Sequence, residues 1–126
     1  LEHKKTKPED GQKDRLIMGL AASQSRYLVL TARKNDLELT GQQINQSRLE
    51  LANVTNDLFN NSTTLDPDSD ESIRIQLRIN ALQSLDKALE LQLRRVDTQQ
   101  QAVQTELEAV KKVIDKNIEL TFKTFA

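Results

Sequence analysis

The chain has 126 residues, enough for one domain, with 29 % charged residues, 3 % aromatics and a net charge of −1. That charge gives no electrostatic reason to expect nucleic acid, which is held by clustered positive surface. The absence of cysteine excludes disulfides and thiolate metal sites and leaves the compartment open. Abundant Leu, Gln, Glu and Lys beside only three glycines favour long helices over a compact mixed fold.

Residues 1–15, LEHKKTKPEDGQKDR, are almost wholly polar and are predicted to be a disordered tail or an appended, non-native segment. His3, the sole histidine, lies there and reads as a tail residue rather than a ligand. Met18 is the only methionine and a candidate native start. IMGLAA and YLVL are split by SQSR, so they make no signal-peptide core. No apolar run approaches the ~20 residues that span a bilayer. These features leave the localisation unknown, between the cytoplasm and export without a cleavable signal peptide.

The first helix is predicted over 16–59. Leu30, Leu37, Ile44, Leu51 and Leu58 recur every seven residues, with Leu16 in phase. Gly41 interrupts the run at a cost of ~1 kcal/mol relative to alanine. The turn is predicted over 60–66, in NNSTTLDPDSDE. Asp66-Pro67 reads as an N-cap with proline at the first helical position. Asp68 with Glu71 is the alternative, a capping box.

The second helix is predicted over 67–122. Its main column is Ile75, Leu82, Leu89, Val96, Val103 and Val110, then Asn117; its companion is Ile79, Asp86, Leu93, Gln100, Leu107 and Ile114. Steps of three and four alternate throughout, the heptad pattern of a coiled coil. After Ile114 the apolar residues move to Ile118, Phe122 and Phe125. That phase shift predicts that the C-terminal end presents its apolar face to something other than the first helix.

Two helices joined by a short turn pack antiparallel. A register in which facing positions sum to about 133 sets Leu58 against Ile75, Leu51 against Leu82, Ile44 against Leu89, Leu37 against Val96 and Leu30 against Val103. In the same register Asp86 falls beside Arg48, Leu93 on Gly41 and Thr40, Gln100 near Arg33 and Lys34, Leu107 on Tyr27 and Ile114 on Leu20. One register thus satisfies apolar and polar layers together. The fold class expected is all-α: two long helices forming an antiparallel coiled-coil hairpin with a disordered N-terminal tail.

SIRIQLRIN, residues 72–80, alternates apolar and polar like a half-buried strand. Paired with SRYLVLTAR it would make a two-stranded sheet, which is marginal in water. On a helix, Ile75 and Ile79 enter the seam while Ile73 and Leu77 point to the back, joined by Leu91 and, from the first helix, by Leu28, Ala32, Leu39 and Leu49. A helix of ~50 residues extends ~75 Å, too long for a globular core. Exposed apolar groups on such a helix mark an interface.

Little chemistry is written in the chain. HExxH, P-loop, GxGxxG and the ferritin-like ExxH pattern are all missing. Asp115 and Glu119 lie one turn apart but read as solvated helix surface. Lys111, Lys112, Lys116 and Lys123 form a basic end of the kind a helix C-terminus favours. Four formal glycosylation sequons, starting at Asn45, Asn53, Asn60 and Asn61, are expected from chance in this composition. No catalytic, cofactor or metal residues are expected, and the chain reads as a non-enzyme.

The layout of a long helix, an acidic turn with a proline and a longer helix ending VKKVIDKNIELTFKTFA resembles bacterial type III secretion needle and rod subunits and the paired terminal helices of flagellar axial proteins; the likeness covers the turn and the C-terminal helix, about half the chain. The stretch GLAASQSRYLVLTARKNDLELTGQQIN also looks bacterial. The turn has one proline, Pro67, where needle subunits typically have two. The resemblance implies an exported subunit that polymerises through both faces of its hairpin, and it carries over no individual residue. The expectation is a self-assembling helical hairpin, a structural subunit of a secretion or surface apparatus, whose partner is itself or another helical protein. The alternative is a helical adaptor or export-chaperone-like binding module. The partner face is assigned to Leu28, Leu39, Leu49, Ile73, Leu77, Leu91, Ile118, Phe122 and Phe125.

Overall fold

A computed structural model describes residues 8–125. They form two α-helices, α1 (Pro8–Ser62) and α2 (Asp70–Phe125), and among the described residues there is no strand. SIRIQLRIN is helical throughout, with Ser72 in the first turn of α2. The fold is an all-α helical hairpin.

Helix α1 starts earlier than the composition of 1–15 suggests. Its first residue is Pro8, where residue 16 was expected. Proline suits the first helical position because its missing N–H needs no partner there. Residues 1–7, with His3, lie outside the described residues.

The turn is also displaced, from the expected 60–66 to 63–69. Helix α1 continues past Phe59 because the hydroxyls beyond it satisfy its last carbonyls. Ser62 Oγ donates to the Phe59 carbonyl (2.7 Å), Thr63 Oγ1 to Asn60 (2.7 Å) and Thr64 Oγ1 to Asn61 (3.1 Å). At the far side, Pro67 does not open α2. It sits inside a turn in which Ser69 N–H donates to the Asp66 carbonyl (3.0 Å) and Asp68 N–H to Asp66 Oδ1 (3.1 Å). Proline fits the second position of such a turn as well as it fits a helix start. The N-cap of α2 is Ser69, whose Oγ accepts from Ser72 N–H (3.2 Å). Neither expected cap is used, although Asp70 and Glu71 do place acid in the first turn of α2.

The chain divides into two units, Asp36–Gln100 and the remainder of both helices. Within Asp36–Gln100 the core is Ile44, Ile79 and Val96, flanked by half-buried Leu37, Leu51, Leu58, Ile75, Leu82, Leu89 and Leu93. Leu93 and Val96 pack on Gly41, large on small as the register requires: a Cβ there would stand 3.7 Å from Val96 Cγ1 and 3.9 Å from Leu93 Cδ1, in ordinary contact. Arg48 and Asp86 pair at 2.9 Å across the same seam.

In the other unit, residues up to Asn35 pack against Gln101 onward. Leu30, Val103, Leu107 and Val110 are buried, and Arg26 reaches Glu106 at 3.4 Å. Gly19 lies near Asn117 and Lys13 near Phe125, so numbers fall along α1 as they rise along α2: the pairing is antiparallel. The seam keeps its heptad phase to the end through half-buried Asn117, Thr121 and Thr124. The sequence pattern shifts after Ile114, but the packing does not. Ile118, Phe122 and Phe125 are consequently left outside the seam.

Candidate functional site

Since a coiled coil buries only a narrow stripe of each helix, its other apolar groups remain in water. All nine residues assigned to a partner face are exposed. They range from 48 % for Ile118 to 74 % for Phe122, with Leu28, Leu39, Leu49, Ile73, Leu77, Leu91 and Phe125 between. The ten seam residues separate cleanly from them. Leu30, Ile44, Val96 and Val103 are buried, and Leu37, Leu51, Leu58, Ile75, Leu82 and Leu89 are half-buried.

Leu39, Leu49, Ile73, Leu77 and Leu91 belong to the Asp36–Gln100 unit, and Leu28, Ile118, Phe122 and Phe125 to the other. Leu49 borders a depression in the Asp36–Gln100 unit, shared with Thr55, Gln83 and the Arg48–Asp86 pair. Leu91 lies in another, beside Arg94 and Arg95. Both are polar at the rim. An apolar concavity lies in the other unit, where Leu20, Ile118, Thr121, Phe122 and Phe125 line a groove of about 390 Å³. It forms because α2 places Ile118, Phe122 and Phe125 at i, i+4 and i+7, one stripe on the helix. A depression of similar size, about 390 Å³, is lined by Gln24, Tyr27, Leu28, Lys111 and Ile114.

Two polar features mark the groove. Lys13 Nζ stands 4.8 Å from the centroid of the Phe125 ring, a cation–π contact. Thr121 Oγ1 is buried and has no hydrogen-bond partner. The hydroxyls of Thr31, Thr40, Thr55, Thr98, Thr105 and Thr124 all donate to the carbonyl four residues earlier, so a helical threonine need not be left this way.

Sequence reasoning placed Leu20 in the seam and did not single out Thr121 or Lys13. Helical spacing puts Leu20 on the seam edge, where it serves the groove as well. It also passed over other exposed apolar residues, among them Met18 (71 %), Val29 (68 %) and Phe59 (60 %). Their spacing fits no single stripe, so periodicity gave no signal.

The electrostatics are modest. Arg48 raises no catalytic prospect: its hydrogen bond to Asp86 holds the guanidinium charged, and the same bond lowers the Asp86 carboxyl below its ordinary value against a desolvation cost. Glu119 accepts from Lys123 at 3.1 Å on exposed surface. Among the described residues no three His, Asp or Glu side chains are grouped to hold a metal ion. No described helix is long and apolar enough to cross a membrane. No protein family, curated protein or solved structure matches the chain.

Proposed function

We propose that this chain is a non-catalytic helical hairpin that assembles with copies of itself, as a structural subunit of a bacterial secretion or surface apparatus. The setting comes from the resemblance of the turn and the C-terminal segment. Self-assembly is carried by one observation: large apolar side chains outside the seam stand in water on both helices, Leu28, Leu39, Leu77 and Phe122 among them. Soluble proteins seldom leave so many uncovered unless a partner covers them. Each covered CH₂ contributes about 0.8 kcal/mol toward holding copies together.

A second reading is favoured by the open groove at Ile118 and Phe122, which suits one apolar helix of a different protein. On that reading the chain is an adaptor or export-chaperone-like module. Sedimentation velocity over a concentration series separates the two. Self-assembly predicts mass that grows with concentration, and a helical Leu39→Lys/Leu77→Lys variant that sediments as a smaller species. A chain that stays monomeric at every concentration overturns self-assembly and leaves the adaptor reading.

A further inference from the structure

Building on that self-assembly, we infer that the groove lined by Leu20, Ile118, Thr121, Phe122 and Phe125 receives the acidic turn region of a second copy. The groove sets two requirements for its occupant. Its walls are apolar, and Phe122 is 74 % and Phe125 50 % exposed, so the occupant brings apolar side chains. Two cations stand on the same unit, Lys13 over Phe125 and Lys111 in the depression with Ile114, while Glu119 is already paired with Lys123, so the occupant is anionic.

One stretch of this chain offers both. Between Arg48 and Arg74 there is no lysine or arginine, while Glu50, Asp57, Asp66, Asp68, Asp70 and Glu71 supply negative charge. No other part of the sequence runs as long without a cation. The same stretch exposes Phe59 (60 %) and Ile73 (51 %) on either side of the turn. The turn carboxylates are counter-charges for the two lysines. Groove and turn are different surfaces, so the contact is heterologous: each copy offers one free groove and one free turn, and assembly continues until a ring closes or a filament grows.

The chain has no cysteine, so substituted positions can be joined selectively. Ala21→Cys is exposed beside Leu20 and Asn61→Cys is exposed beside the turn. Neither residue belongs to the contact argued above. An equimolar mixture of the two variants, treated with a short bis-maleimide, is expected to yield mainly the mixed dimer. Same-position dimers as the main product, or no cross-link from a chain that does assemble, overturn the inference. A charge exchange provides the second test. Asp68→Lys/Glu71→Lys and, separately, Lys13→Glu/Lys111→Glu should each weaken association about tenfold or more at low salt, as swaps of interfacial charge do. Mixing the two variants should restore it, with helicity checked by circular dichroism. Loss without restoration, or no loss, overturns the inference while self-assembly stands. A parent chain that never associates removes self-assembly itself.

Discussion

Arg48 on α1 donates through Nε to Asp86 Oδ1 at 2.9 Å and through Nη2 to Asp86 Oδ2 at 3.4 Å, a two-pronged bond across the seam. The pair occupies a layer that heptad geometry would otherwise fill with apolar residues, and it fixes the register of the two helices there. The hydrogen bond, ahead of simple charge attraction, lowers the Asp86 carboxyl, and desolvation opposes it. A group whose folded value is depressed stabilises above its unfolded value, about 3.9 for aspartate, and that contribution fades as pH falls through the folded value. Asp86→Asn should therefore lower the melting temperature most at neutral pH. The gap to the parent should close in acid, below about pH 4. A gap independent of pH would show that the carboxylate charge is not what the seam uses.

Gly41 gives a prediction of opposite sign. A Cβ there would meet Val96 and Leu93 at 3.7 and 3.9 Å, ordinary contact distances, and Gly41 has no positive φ to preserve. Gly41→Ala should stabilise the hairpin by about 1 kcal/mol through helix propensity, with added contact on Val96. Gly41→Leu should instead destabilise by about 1–3 kcal/mol by overpacking. Thermal melts at fixed protein concentration measure both. A Gly41→Ala protein less stable than the parent would mean that the close approach of Leu93 has no slack.

The seam was legible because it rests on period alone. Leu30, Ile44, Val96 and Val103 fall on the 3–4 spacing, and burial follows from that spacing. The Arg48–Asp86 pair was legible too, since a charge in an apolar column must meet its counter-charge. Helix ends were not. Pro8 and Pro67 carry the same fixed φ, yet one opens a helix and the other sits inside a turn. What distinguishes them is which neighbour, Asp66, Asp68 or Ser69, wins the cap, and several candidates within four residues satisfy the same rule. The groove was half legible: Ile118, Phe122 and Phe125 announced themselves by leaving phase. Thr121 and Lys13 look like any helical threonine and lysine until the packing around them is known.

The cap at α2 can be tested directly. Ser69 Oγ accepts from Ser72 N–H at 3.2 Å, and its own hydroxyl donates to the Asp66 carbonyl at 2.7 Å. Ser69→Ala removes both bonds and should cost about 1 kcal/mol, the usual worth of an N-cap. Ser69→Asp keeps the acceptor and should recover most of it. Asp68→Ala leaves every one of these bonds in place and should change the melting temperature little. If Asp68→Ala is the more damaging substitution, the capping box with Glu71 operates after all.

Thr121→Val separates the stability of a single copy from the strength of assembly. The Thr121 hydroxyl is buried without a partner, and a buried group left unsatisfied costs about 1–3 kcal/mol. Valine has nearly the same shape and helix propensity and removes that cost. In dilute protein, where copies are separate, Thr121→Val should therefore raise the melting temperature. Association should be unchanged, because the hydroxyl has no surface that a second copy could reach. Melting at low concentration, paired with sedimentation at high concentration, reads the two effects independently. Association weakened by Thr121→Val would mean that the hydroxyl becomes accessible when copies meet; a destabilised valine variant would mean the hydroxyl is already satisfied within the helix.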